Sequence, residues 1–119
     1  MRAGDLARAR TLVDDGLALA ERGSPPEFRG TLLSVRGSIC SHDGDAAAAN
    51  AAFAEAIATL ESTSSVFELG IALYRYGEML RDSGDAAGGR VRIERAKDVF
   101  TSVGNVTWRA RADETLASL

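Results

Sequence analysis

The sequence is short of several residue types, and each shortage excludes a class of protein. A single cysteine, Cys40, cannot form an internal disulfide, so nothing indicates an oxidising compartment. The two prolines are adjacent, and no alternating run of β-branched residues predicts strands. No apolar run approaches the ~20 residues of a membrane-spanning helix, and the N-terminus has no apolar targeting segment. These shortages predict an all-α protein of the cytoplasm that does not enter a membrane.

A strong excess of one charge is also lacking. The 119 residues include 14 basic and 17 acidic ones, which gives a net charge of −3. A surface that coats nucleic acid or an anionic membrane carries a basic excess, so we expect neither as a partner. Basic residues do cluster between residues 85 and 103, but acidic residues alternate with them. Arg90 and Glu94 have the i,i+4 spacing of a helix ion pair, which indicates a solvated outer face.

Glycine, in contrast, is frequent and regularly placed. The dipeptide Gly-Asp occurs at 4–5, 44–45 and 84–85, a period of 40 residues. Each pair is followed by a small, a large and again a small residue: Ala9, Val13 and Gly16, then Ala49, Phe53 and Ala56, then Gly89, Ile93 and Ala96. This order lets one helix lie close to its neighbour. Each Asp suits a helix N-cap, and each Gly can end the preceding helix in a left-handed conformation.

The pattern predicts six helices, at 5–22, 26–42, 45–61, 66–82, 85–103 and 105–118. Helices 26–42 and 45–61 are predicted to form one hairpin, and helices 66–82 and 85–103 the next. The first helices of the two hairpins match at Leu33 and Leu73 and at Gly37 and Gly77. Arg36 stands where Tyr76 stands, so its long stem must reach the surface. The predicted helix 5–22 therefore corresponds to the second helix of a hairpin, and the predicted helix 105–118 corresponds to the first helix of one. We expect a single repeat domain, 1–119, that is a segment of a longer array or self-associates through open repeat ends.

These repeats resemble the tetratricopeptide repeat family. The residues that match are Leu33 and Gly37, then Gly44-Asp45, Ala49, Phe53 and Ala56, then Leu73, Gly77, Gly84-Asp85, Ile93 and Ala96. The period exceeds the usual length of about 34 residues. It is similar to the 40-residue units of large bacterial transcription and signalling regulators. The resemblance implies an α-solenoid, a right-handed superhelix of roughly three antiparallel hairpins, with a concave groove that binds peptides or proteins.

The resemblance also implies that the first helices line this groove. Their outward face is predicted to carry Thr31, Ser34, Ser38, Ser41, Ile71, Tyr74, Glu78, Arg81, Arg111 and Glu114. Aromatic residues and arginine dominate interface energies, which favours binding at this face. The alternative is that these are ordinary solvent-facing helix residues. The hydroxyl-bearing residues of the first unit do not support the clamp for a C-terminal carboxylate that is known in the family.

No residues suggest chemistry, and we expect no catalytic, cofactor-binding or metal-ligating site and no cofactor. His42, the only histidine, lacks the further ligands that a metal site needs, so a capping or surface role is expected. Cys40 falls on the packing stripe, where a thiol acts as a small hydrophobe. Trp108 is expected to pack the last helix onto Phe100, the alternative being an exposed anchor for a following unit.

The sequence therefore favours a non-enzymatic scaffold that docks a protein or peptide segment within a bacterial regulatory or signalling protein. Two alternatives stay open. One is a structural module whose exposed ends pair with another copy. The other is a segment of a transcriptional regulator that senses a small ligand in the groove.

Overall fold

In a computed structural model, which describes residues 3–119, the chain forms six α-helices and, within that range, no strand. The helices are α1 (Ala3–Ala20), α2 (Pro26–His42), α3 (Ala46–Glu61), α4 (Val66–Asp82), α5 (Ala86–Ser102) and α6 (Val106–Ala117). Every bound lies within two residues of its prediction, so the predicted all-α set is confirmed. No helix of the described range has both the length and the apolar character required to cross a membrane.

The turns α2–α3 and α4–α5 have the predicted Gly-Asp chemistry. Gly44 and Gly84 adopt left-handed φ values of 79° and 98°, which a side chain would strain. The Asp45 carboxylate accepts a hydrogen bond from the Ala48 amide at 3.0 Å, and the Asp85 carboxylate accepts one from the Gly88 amide at 2.9 Å. Each turn thus ends one helix and caps the next, which directs the two helices back along each other.

The N-cap predicted at Asp5 is wrong, because α1 already includes Ala3 and Asp5 lies within its first turn. A carboxylate there interacts favourably with the helix dipole but caps nothing. A cap of the same kind is found at the α5–α6 turn instead. Gly104 has a φ of 71°, and the Asn105 side chain accepts a hydrogen bond from the Trp108 amide at 3.0 Å.

Each helix packs against the next along the chain, and α2 also contacts α4. The most extensive contacts join α2 to α3, here named the first hairpin, and α4 to α5, the second hairpin. The two hairpins meet through α3 and α4. There the rings of Phe53 and Tyr76 stack with centroids 5.4 Å apart, and the Tyr76 hydroxyl donates to Asn50 Oδ1 at 2.8 Å.

The contacts between the two helices of a hairpin recur with the 40-residue period of the sequence. A Cβ on Gly37 would lie 2.6 Å from Phe53 Cδ2, and one on Gly30 would lie 2.6 Å from Leu60 Cγ. One period later, Gly77 faces Ile93 and Gly70 faces Phe100. Glycine on the first helix therefore makes room for a large residue on the second, at two places in each hairpin.

The second hairpin is closer at one further point. A Cβ on Gly89 would lie 2.7 Å from the carbonyl oxygen of Gly77, whereas the first hairpin holds Ala49 at the equivalent position without exposure to solvent. Backbone therefore touches backbone in the second hairpin.

The core lies between the helices. Phe53 and Phe100 are the largest side chains with no exposed surface. Phe53 stands at the repeated position of large residues, and Phe100 lies two helical turns after Ile93, which stands at that position one period later. Burying such a side chain stabilises the fold by about 1.5–3 kcal/mol. The Trp108 ring lies 5.6 Å from that of Phe100, which confirms the predicted packing of α6. Arg36 reaches the surface as expected, and its guanidinium lies 2.7 Å from Asp14 Oδ1.

Candidate functional site

A cleft runs along the surface between α2 and α4. It consists of three depressions of about 450, 250 and 190 Å³. The first shares Val35, Ser38 and Arg75 with the smallest, and it shares Ser41, Met79 and Asp82 with the remaining one. Because neighbouring depressions have lining residues in common, they form one continuous surface, named here the α2–α4 cleft.

Six of the ten predicted groove residues line this cleft. They are Thr31, Ser34, Ser38 and Ser41 of α2, and Ile71 and Glu78 of α4. The α2 residues recur at helical spacing, which places them in one row along the side of α2 that faces α4. The structure therefore brings together the whole predicted set of one unit and half of the next.

Tyr74 was predicted to face the groove, and that prediction is wrong. Its side chain is only 2% exposed, and its hydroxyl lies 2.7 Å from Thr115 Oγ1 of α6. Its ring also makes an edge contact with Trp108 at 5.6 Å. The equivalent position one period earlier explains why Tyr74 is buried. Ser34 stands there and is also buried, so this position of a first helix faces the next first helix rather than solvent.

Arg81 lies beside the cleft but is absent from the residues that line it. Its Nε donates to Asp82 Oδ1 at 3.0 Å, and this hydrogen bond raises the pKa of Arg81 above its ordinary value, with partial burial opposing the rise. The guanidinium therefore stays charged and occupied by its neighbour.

Arg111 and Glu114 lie on α6, away from the cleft, and both are exposed. The Arg111 guanidinium carbon lies 4.9 Å from the Trp108 ring centroid and 5.7 Å from that of Tyr74. Such cation–π contacts stabilise the packing of an arginine over aromatic rings. Arg111 thus covers the α4–α6 contact instead of extending the predicted groove.

Sequence reasoning missed the α4 row that does line the cleft. The row is Ile71, Arg75, Glu78 and Asp82, whereas the prediction used Ile71, Tyr74, Glu78 and Arg81. Both sets fit helical spacing, and they differ by one position at two places. The two rows can be told apart at the position of Tyr74, because the equivalent residue one period earlier, Ser34, is small. A large residue in place of a small one at a helix contact indicates that the neighbouring helix differs, and the neighbour of Tyr74 is α6.

The cleft combines an apolar floor with polar walls. Val35, which is 42% exposed, contributes most of this apolar surface, because Ile39 and Met79 line the cleft with only 3% and 4% exposure. On the walls, the Arg75 guanidinium lies 3.3 Å from Glu78 Oε1. The Thr31 hydroxyl donates to the Glu27 carbonyl at 3.0 Å and lies 3.3 Å from Glu68 Oε2, a contact that links α2 to α4.

The remaining end of the cleft carries hydroxyls and titratable groups. Ser38 and Ser41 line it together with Asp82 and with His42, which is exposed as expected. Acidic side chains outnumber basic ones along the cleft, since Glu68, Glu78 and Asp82 accompany Arg75. The arrangement can accept an apolar group on its floor and hydrogen-bond donors or a cation along its wall.

Groups of three or more potential metal-ligating side chains do not occur within residues 3–119. Cys40 is partly buried and packs beside Phe53 and Met79, as the packing stripe predicted.

No protein-family model matches the chain, and neither a curated protein nor a solved structure matches it. The resemblance to tetratricopeptide repeats thus stays an interpretation of the residue pattern.

Proposed function

We propose that the chain is a non-catalytic docking module and that its α2–α4 cleft binds a segment of another protein. The observation that carries the proposal is the convergence of six predicted groove residues on one continuous cleft. The repeat pattern predicts these residues, and the folded surface places them along a depression that can hold a peptide segment.

A repeat-type solenoid is the architecture that we propose for this module. The contacts of the first hairpin recur one period later in the second, and α2 contacts α4 as well as α3. Stacked hairpins whose first helices touch one another produce this pattern. The right-handed superhelix, the tetratricopeptide relationship, the cytoplasmic location and the bacterial regulatory context belong to the same proposal and remain predictions.

The chemistry of the cleft indicates the kind of segment that fits. A peptide side chain of the size of Leu or Met would pack on Val35, whose exposed apolar surface is then removed from water, beside the nearly buried Ile39 and Met79. A Lys or Arg of the peptide would face Asp82, and backbone amides would reach the Ser38 and Ser41 hydroxyls. Interfaces of this kind place most of their binding energy in such central anchors.

A small-molecule ligand is the second candidate, and the size of the cleft favours it. The largest depression, of about 450 Å³, falls within the range of about 300–1,000 Å³ that is typical of ligand pockets. A sensor of this kind predicts that some member of a metabolite panel raises the melting temperature, since a ligand of the native state stabilises it. An unchanged melting temperature across the panel would count against it.

Two matched substitutions test docking. Val35→Arg places a long cation in the cleft, and Val91→Arg places the same residue on α5, outside the cleft, at a position that is 58% exposed. A random displayed-peptide library is selected on the wild type and on both variants, after circular dichroism has verified folding. The proposal predicts one peptide family enriched by the wild type and by Val91→Arg but lost with Val35→Arg. No enrichment by the wild type, or equal enrichment by Val35→Arg, would overturn it.

A further inference from the structure

The outer face of α1 carries two exposed leucines. Leu12 is 65% exposed and Leu19 is 60% exposed, and they lie two helical turns apart on one side of α1. Apolar side chains of this size on one stripe are typical of a surface that another helix covers.

The repeat shows which kind of helix fits there. Arg92 and Val99 of α5 stand two periods after Leu12 and Leu19. Arg92 lies over the Tyr76 ring at 5.3 Å, and a Cβ on Gly70 would lie 2.9 Å from Val99 Cγ1. Tyr76 and Gly70 both belong to α4, the hairpin partner of α5. The leucines of α1 therefore stand where a second helix contacts its first helix.

The face of α6 has the complementary features. Ala110 and Ala117 stand two periods after Gly30 and Gly37, and both are exposed. Within the two hairpins, glycine at these places faces Leu60, Phe100, Phe53 or Ile93. The equivalent residues of α1 are the smaller Ala20 and Val13, which are only 7% and 5% exposed, so the apolar surface that α1 offers to a further helix comes from Leu12 and Leu19.

Charge matches in the same register. In the first hairpin, the Arg29 guanidinium lies 2.6 Å from Glu55 Oε1 and links α2 to α3. Arg109 of α6 stands two periods after Arg29, and Asp15 of α1 stands one period before Glu55. Both Arg109 and Asp15 are exposed. An α6 helix placed on α1 in the hairpin register thus brings opposite charges together.

We propose that the protein stacks head to tail, with α6 of one copy packed on α1 of a second copy as α2 packs on α3. Leu12 and Leu19 are then covered, and Arg109 pairs with Asp15 of the other copy.

An ion pair between α5 and α6 weakens this contact. Asp113 stands in the column of Leu33 and Leu73 and enters the interface as an ion pair with Lys97 at 2.6 Å. The contact is heterologous, since it joins unlike faces of two copies, so association continues beyond a dimer and assemblies grow with concentration.

Sedimentation equilibrium of the 119-residue chain over a wide concentration range tests the stacking. The average mass of the wild type is expected to rise with concentration. Asp15→Arg or Arg109→Asp alone is expected to weaken association about tenfold, because attraction becomes repulsion. Asp98→Arg, an exposed change on α5, is the control and is expected to behave as the wild type.

Mixing the two single variants separates the proposed pair from a general charge effect. When the two variants alternate in the stack, every junction joins one positive and one negative side chain. An equimolar mixture is therefore expected to regain the association of the wild type. Leu12→Ser with Leu19→Ser keeps every charge and is expected to weaken association as well. A wild type that stays monomeric, single variants that associate normally, or a mixture that fails to recover would each overturn the proposal.

Discussion

The hydroxyl of Tyr74 on α4 lies 2.7 Å from that of Thr115 on α6, and both residues are buried. The Thr115 hydroxyl donates in turn to the Arg111 carbonyl at 3.1 Å, so Tyr74 is the donor to Thr115. This short chain of hydrogen bonds fixes how α6 crosses α4. It also removes Tyr74 from the surface on which the sequence pattern placed it.

Tyr74→Phe is expected to lower the free energy of unfolding by about 0.5–1.5 kcal/mol, the usual net value of one hydrogen bond. Thr115→Val removes the same bond from the other side. Because both changes break one interaction, the double variant should lose less than the two single losses added together. Urea unfolding at constant pH measures all three, and strictly additive losses would contradict a direct Tyr74–Thr115 bond.

Gly89→Ala is expected to lower the free energy of unfolding by about 1–3 kcal/mol, as overpacking does. Its Cβ would lie 2.7 Å from the Gly77 carbonyl oxygen, and backbone cannot move aside as a side chain can. Gly4→Ala is the control, because it lies within α1 with no atom within 4 Å of its Cβ. That change should leave stability equal or raise it by up to about 1 kcal/mol through helix propensity. Similar losses for both variants would contradict the close approach.

Asp45→Ala and Asp85→Ala should each lower the free energy of unfolding by about 0.5–2 kcal/mol, since each removes the acceptor of an N-cap hydrogen bond. Asp5→Ala should cost less, about 0.3–1 kcal/mol, because Asp5 interacts only with the helix dipole. Thermal unfolding of the three variants in one buffer compares them. An Asp5→Ala loss as large as the other two would mean that Asp5 caps α1.

The sequence predicts this fold well because most of its signals are local. Gly44 with Asp45 specifies a turn through backbone conformation and one side-chain hydrogen bond, and neither depends on distant residues. The spacing of Gly37 and Phe53 likewise specifies which face of each helix is buried, and the period repeats that information.

The groove was predicted less well because its position depends on how helices far apart in the chain cross. Tyr74 and Arg75 are neighbours on α4, and both fit an outward row at helical spacing. Only the packing of α6, through Thr115 and Trp108, decides that Tyr74 is buried. Arg75 is then left to line the cleft. On α2, all four predicted residues line the cleft, although Ser34, at the position equivalent to Tyr74, is buried there as well.

The most direct test of the docking account is to locate a bound peptide on the protein. A peptide from the selected family is titrated into isotope-labelled wild-type protein, and backbone amide chemical shifts are followed by NMR. The largest changes are expected on the cleft rows, at Val35 and Ser38 of α2 and at Arg75 and Asp82 of α4. The amide of Val91 on α5 should not shift. Changes confined to α5, or to the outer faces of α1 and α6, would contradict binding in the α2–α4 cleft.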